Sequence, residues 1–175
     1  LSQKERGCLV YLYTGEGGGK TTNALGLALR AVGHGLKTIV IQFMKGRKSI
    51  GEYKIKERLA PEYEIYQFGR RGWVDLKNPS PVDVKLAKEG LDFARQAAKR
   101  RPALLVLDEV NLAVAIGLLE PEDVLHLLDE VPRGTVVVLT GRRAPKELLN
   151  RADFVNEVKD VKHPSEIPTQ RGIQF

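Results

Sequence analysis

Four glycines in five positions, Gly15, Gly17, Gly18 and Gly19 around Glu16, run directly into Lys20, Thr21 and Thr22. No other feature constrains the chain as much. The cluster follows an apolar run at residues 8–13 (CLVYLY) and precedes a segment of helical period at 21–32. Glycines at that density let successive backbone amides turn toward one centre with no Cβ in the way. The helix behind them adds its N-terminal amides and the positive end of its dipole, which suits a polyphosphate. Lys20 can reach the outer phosphates, and the Thr21 hydroxyl can serve a magnesium ion. The common form of such loops, G-x-x-x-x-G-K-[ST], puts its first glycine at position 14, where this chain has Thr14. The loop here is therefore one residue short, G-x-x-x-G-K-T. Strand, loop and helix in that order imply binding of a nucleoside triphosphate.

Short apolar runs recur along the chain at 38–43 (TIVIQF), 63–68 (YEIYQF), 104–107 (LLVL), 136–140 (VVVLT) and 154–158. Between them lie segments of helical pattern at 21–32, 82–100, 122–131 and 145–151. CLVYLY, LLVL and VVVL are apolar on both alternating faces, as strands covered by helices on both sides must be. The alternation predicts an α/β fold: one P-loop NTPase-like (RecA-like) domain over 1–175. Its sheet is mostly parallel, with about six strands flanked by helices. At 175 residues such a domain buries roughly 70 % of its unfolded surface and needs no staples. Two segments break the pattern, the basic, glycine-spaced 45–61 and the Gly-, Arg-, Trp- and Pro-bearing 69–81. Both follow apolar runs, where open α/β sheets hold their ligands, although solvated loop is the plainer reading of each. The last stretch, 163–175, is irregular too.

A second acidic element belongs near the loop, and Asp108 and Glu109 close the LLVL run at the carboxyl edge of a buried strand. Two adjacent carboxylates there can hold Mg²⁺ directly or through water. No residue stands out as a base that would activate water. His34 follows a helix between two glycines, His126 falls inside a helix and His163 precedes Pro164. Hydrolysis is therefore not the first reaction expected. Cys8, the single cysteine, excludes an intramolecular disulfide and sits in an apolar run as a small core residue. No stretch approaches the roughly 18 apolar residues of a membrane span, and LSQKERG lacks a signal-peptide core. A cytoplasmic protein is the expectation. The net charge of +6 permits a nucleic-acid partner, but it comes in small clusters and serves a phosphate-rich small ligand equally well.

Taken in order, these motifs resemble the P-loop type of ATP:corrinoid adenosyltransferase. The resemblance runs through YTGEGGGKTT (13–22), RAVGHG (30–35), QFMKG (42–46), the Gly-Arg stretch ending in Trp73 and VLDEVN (106–111). It continues through LTGRRAP (139–145), ADFVNEV (152–158), VKHP (161–164) and the terminal RGIQF. The short loop is itself a feature of that family. The resemblance implies that corrinoid cobalt in its Co(I) state attacks the 5′ carbon of ATP and that triphosphate leaves. The missing water-activating base accords with this, because the nucleophile arrives with the substrate.

Carried over residue by residue, Gly15, Glu16, Gly17, Gly18, Gly19, Lys20, Thr21 and Thr22 would bind the nucleotide, reversed in the loop. Lys20 would neutralise the leaving group. Thr21 and Glu109, with Asp108 close by, would hold Mg²⁺ or Mn²⁺. Trp73 looks like the aromatic that packs beneath the corrin ring, although a loop anchor is its alternative. Arg142 is placed to touch phosphate or ribose, with a plain surface arginine as the alternative. The family also implies a cob(I)alamin or cobinamide-type acceptor, a flavoprotein or flavodoxin reductant and a homodimer. Three departures stand out: Gly18 where many relatives place lysine, Arg71 near the position of a second aromatic, and 165–170 (SEIPTQ) with Gln174 near the terminus. The competing class is a RecA-like ATP-dependent nucleic-acid-binding protein. Such a protein needs a water-activating residue and usually aromatic stacking platforms, and neither is evident.

Overall fold

The computed structural model describes residues 7–166 and 170–173, so that 167–169 and Gln174 of the C-terminal departures lie outside the described residues. Among the described residues six strands form one sheet: β1 (Leu9–Thr14), β2 (Thr38–Phe43), β3 (Tyr63–Phe68), β4 (Leu104–Asp108), β5 (Val136–Thr140) and β6 (Phe154–Glu157). Their order is β3-β2-β4-β5-β1-β6, and every neighbouring pair is parallel. Each strand lies where an apolar run predicts it, within about a residue at either end. The helices are α1 (Lys20–Gly33), α2 (Gly51–Lys54), α3 (Pro81–Lys99), α4 (Val110–Ala115), α5 (Pro121–Glu130) and α6 (Lys146–Arg151).

Two of these helices differ from expectation. In α4, Val110 to Val114 are all buried, so the segment has no polar face and carries no helical period to detect. The stretch expected to be loop at 45–61 contains α2 and a 3₁₀ turn at Ile55–Glu57. Tyr53, Ile55 and Leu59 from this stretch pack on the sheet.

Alternate residues of each strand serve opposite faces. Leu12, Ile41, Leu107 and Leu139 point toward α3, α4, α5 and α6, whereas Val40, Val106 and Val138 meet Ala24 and Ala28 of α1. Strands β2 and β4 are buried along their whole length, as double-faced packing requires. The double cover predicted for the first run is only half realised. Val10 and Leu12 are buried, but Tyr11 and Tyr13 are half-exposed. Helix α1 packs against β2, β4 and β5, and Tyr11 instead stacks on Phe154 of the edge strand, with ring centroids 4.4 Å apart.

Helix α3 starts where its sequence says it should. Ser80 caps it, Pro81 occupies the first turn, and Asp83 completes a capping box by accepting from the Ser80 backbone N–H at 3.1 Å. Arg70 adds a two-pronged ion pair to the same Asp83, Nε to Oδ1 at 2.8 Å and Nη2 to Oδ2 at 2.7 Å. The segment after β3 is thereby tied to the start of α3. The Arg70 hydrogen bonds hold the Asp83 carboxyl down at about 2, against the cost of its burial. A carboxylate depressed in this way adds stability above its unfolded value, near 3.9, and that stability fades as pH falls toward 2. Urea unfolding of wild type and Asp83→Asn should therefore show a clear gap in midpoint at pH 7, closing between pH 4 and pH 2. A gap independent of pH would remove the ion pair from the account.

Candidate functional site

The glycine loop leaves the end of β1 and is pinned from outside by the segment that follows β6. The Val158 N–H donates to the Thr14 carbonyl at 2.8 Å, and the Gly17 N–H donates back to the Val158 carbonyl at 2.9 Å. This close approach dictates glycine. A Cβ on Gly15, whose φ is +96°, would lie 2.3 Å from the Val158 carbonyl oxygen, and one on Gly17 would lie 2.8 Å from the Lys159 backbone. Gly18 faces open space, so a side chain there meets nothing. Gly19, at φ +104°, starts α1, which has no side-chain cap and no acid in its first turn. Its first amides therefore remain available to an anion. Lys20 is buried and folds back so that its Nζ donates to the Gly17 carbonyl at 2.6 Å. Burial first, and then the charge of Arg142, lowers its pKa.

Beneath the loop lies Asp108, at the end of β4 and closed to solvent. Its Oδ1 accepts from the Thr21 hydroxyl at 2.8 Å and from the Thr140 hydroxyl at 2.7 Å. Its Oδ2 accepts from Lys45 Nζ at 2.8 Å and from Gln42 Nε2 at 3.0 Å. Burial would raise the pKa of this carboxyl, but the pairing with Lys45 and the hydroxyl bonds outweigh it and hold Asp108 ionised. The reciprocal effect raises Lys45, against the penalty of its own burial.

Glu109, next in the chain, has φ +65°, and its backbone N–H donates to the Thr140 hydroxyl at 2.9 Å. Among the described residues no hydrogen bond or ion pair reaches its carboxylate, and burial followed by the nearby Asp108 raises its pKa. A half-buried carboxylate without a partner among the described residues, next in the chain to the Asp108 that holds the Thr21 hydroxyl, makes with that hydroxyl a set of hard oxygen donors that fits a divalent ion such as Mg²⁺. No group of three or more His, Cys, Asp or Glu among the described residues could hold a metal alone. Such an ion would need oxygens from the nucleotide.

The loop after β5 carries Arg142 to the same edge. Gly141, at φ +135°, packs so tightly on the start of α4 that a Cβ would lie 2.8 Å from Leu112 N. The Asn111 side chain bridges the Tyr13 and Gly141 carbonyls at 3.2 and 3.3 Å. Arg142 is half-exposed and pairs with Glu16 at 3.4 Å.

A cavity of about 680 Å³ opens beside these groups, lined by Thr21, Thr22 and Trp73 among others. Its floor is apolar, from Leu25 and Leu29 of α1 and from Ile50, Ile55 and Leu59. Trp73 is 88 % exposed at the rim, with the Arg47 guanidinium carbon 5.4 Å from its ring centroid. The two loops that carry these residues touch backbone to backbone. A Cβ on Gly46 would lie 2.4 Å from the Gly69 carbonyl, and one on Gly69 would lie 2.3 Å from Met44 C.

The structure thus brings the loop residues 15–22, Asp108, Glu109 and Arg142 together, with Trp73 across the cavity. Sequence reasoning missed Lys45, Gln42, Thr140 and Asn111. Lys45 appeared in the QFMKG motif and in a basic stretch, with no role given to it. The signal available for Gln42 and Thr140 was a polar side chain at the end of an otherwise apolar run.

A parallel sheet, a glycine loop entering a helix, and a buried aspartate hydrogen-bonded to the loop threonine define a P-loop nucleotide-binding protein. The solved structure of a KaiC-like protein from Pyrococcus horikoshii superposes with a TM-score of 0.58, covering 90 % of this chain and 76 % of that one. At 19 % identity that likeness speaks for the fold alone. The family described as ATP:corrinoid adenosyltransferase BtuR/CobO/CobP matches residues 5–175. A corrinoid adenosyltransferase of Escherichia coli K12 is 37 % identical over 99 % of this chain and 88 % of its own length. One from a Sinorhizobium species is 34 % identical over 95 % of this chain and 80 % of its own. The chain belongs to the ATP:corrinoid adenosyltransferase family.

The glycine geometry separates two neighbouring substitutions. Gly15→Ala should cost about 3 kcal/mol, from the left-handed backbone and the clash with Val158, and lower Tm by roughly 6–12 °C. Gly18→Ala should leave Tm within roughly 2 °C. Equal melting curves for the two variants would contradict the packing described.

Proposed function

We infer that this chain transfers the 5′-deoxyadenosyl group of ATP to the Co(I) centre of a corrinoid, releasing triphosphate, in adenosylcobalamin biosynthesis or salvage. The observation that carries this is the family match across 5–175, which takes in the whole glycine loop, the β4 carboxylates and the Trp73 segment. In the reaction the cobalt electron pair forms a bond to C5′ of ATP. The C5′–O5′ bond breaks, and its electrons leave with the triphosphate. No proton is removed, so no base is required.

The protein's work is then positioning, and stabilising charge as it gathers on the leaving group. In this reading Lys20 exchanges the Gly17 carbonyl for a phosphate oxygen, and the free amides of α1 bind beside it. Arg142 exchanges Glu16 for phosphate or ribose. Thr21 and Glu109, with Asp108 behind them, would hold Mg²⁺ or Mn²⁺, which would supply further neutralisation of the triphosphate. The apolar floor of the cavity and Trp73 receive the corrin ring. The same family likeness supports a flavoprotein or flavodoxin as the source of the Co(I) electron, a homodimer as the working form and the cytoplasm as its place. No helix among the described residues is long and apolar enough to cross a membrane.

Anaerobic incubation with MgATP and chemically reduced cob(I)alamin tests the reading. Adenosylcobalamin and triphosphate should appear in equal amounts, and a folded, ATP-binding protein that forms neither from cobalamin or cobinamide would overturn it. Lys20→Ala should lower kcat by about 10²-fold or more, through loss of charge stabilisation on the leaving group. Retention of near-normal turnover would exclude Lys20 from that role. Trp73→Ala should slow cobalamin roughly tenfold or more relative to a corrinoid lacking the lower ligand. Equal slowing of both acceptors would leave Trp73 as a loop anchor.

A further inference from the structure

Lys45 belongs to none of the roles assigned so far, yet among the described residues it is the ammonium bonded to the most deeply buried charge of the site. Asp108 has two oxygens, and each already accepts two hydrogen bonds: Thr21 and Thr140 on Oδ1, Lys45 and Gln42 on Oδ2. A carboxylate offers about four lone-pair positions, so Asp108 is saturated. The lysine is aimed at it by backbone rather than by chance. Met44 takes φ +57° at the end of β2 and donates its N–H to the Phe68 carbonyl at 2.9 Å. Gly46, on the other side of Lys45, is pressed against Gly69 and Arg70 with no room for a Cβ. The Lys45 side chain keeps 29 % of its exposure, whereas that of Asp108 keeps 1 %. The lysine thus stands between the carboxylate and the cavity.

We propose that Lys45 is a positioning residue, the resident counter-cation of Asp108. It directs that carboxylate onto the Thr21 hydroxyl and bars a divalent ion from direct coordination by Asp108 before nucleotide is bound. The inference rests on the reading of Thr21 and Glu109 as metal-holding residues. With Lys45 in place the charge of Asp108 is already matched, so the ion gains little by approaching without the phosphates. With Lys45 neutralised, one of the two acceptor positions on Oδ2 is open beside Gln42, and the uncompensated charge in a poorly screened interior attracts any cation that can enter. An ion held in that way would be bound ahead of ATP, on an oxygen the wild-type site keeps out of its reach.

The test is Mn²⁺ binding at pH 8, followed by the electron paramagnetic resonance of free Mn²⁺, with and without ATP. The proteins compared are wild type, Lys45→Met, Lys45→Gln and Lys45→Arg. Without ATP, wild type and Lys45→Arg should bind Mn²⁺ weakly and alike, while Lys45→Met should bind at least tenfold more tightly. Lys45→Gln keeps a polar side chain without the charge, so it answers the question if Lys45→Met fails to fold. It too should gain affinity. A folded neutral variant with the wild-type affinity, in a protein that does retain Mn²⁺ beyond what ATP alone holds, overturns the role of Lys45 and leaves the metal reading standing. Wild type that retains no Mn²⁺ beyond that held by ATP overturns both. A purely structural ion pair would lower the melting temperature in the neutral variants but would not move nucleotide-free metal affinity.

Discussion

A carboxylate closed to solvent at the centre of a parallel sheet has to be satisfied completely, and the way Asp108 is satisfied organises this protein. Its four donors come from α1, from β2, from the turn after β2 and from β5. The phosphate loop, the floor of the cavity and the strand that leads to Arg142 are therefore registered on one side chain. Thr140 extends the arrangement, because the hydroxyl that donates to Asp108 accepts from the Glu109 backbone. The carboxylate of Glu109 is thereby held in the field of Asp108, Lys45, Lys20 and Arg142. A partly filled set of partners would leave a buried charge under-compensated in a low-dielectric interior, so each donor that is missing carries a cost.

Around this point the chain is assembled by close backbone crossings that only glycine permits. Gly15 and Gly17 lie against the segment after β6, Gly46 and Gly69 against each other, and Gly141 against the start of α4. Each crossing brings a loop from the carboxyl end of one strand onto a neighbour, so the loops form one surface. Arg70 then ties the loop bearing Trp73 to the first turn of α3.

The framework was legible because strands buried on two faces are continuous apolar runs and the longer helices are periodic. LLVL and VVVLT could hardly be anything else. The losses have physical causes. VNLAVA is a helix buried among its neighbours, and such a helix has no period to detect. Tyr11 and Tyr13 lie on a face that α1 leaves half-covered, a matter of where a helix settles on a sheet rather than of local pattern. In the site, Gly15 to Thr22 was legible because phosphate binding demands glycine, lysine and threonine in order. Asp108 and Glu109 were found because they end a buried strand. Lys45 was not, because its partner lies 63 residues away and reaches it through a left-handed turn at Met44 that no residue type announces.

The chain has one tryptophan, and it is among the most exposed of its large side chains, at the mouth of the cavity and within reach of Arg47. In most proteins indole emission mixes signals from the interior and reports loosely on folding. Here all of it comes from a single position at the cavity entrance. The tryptophan fluorescence of this molecule is thus a local gauge of its entrance loop, sensitive to what approaches that ring and nearly indifferent to the core beneath it.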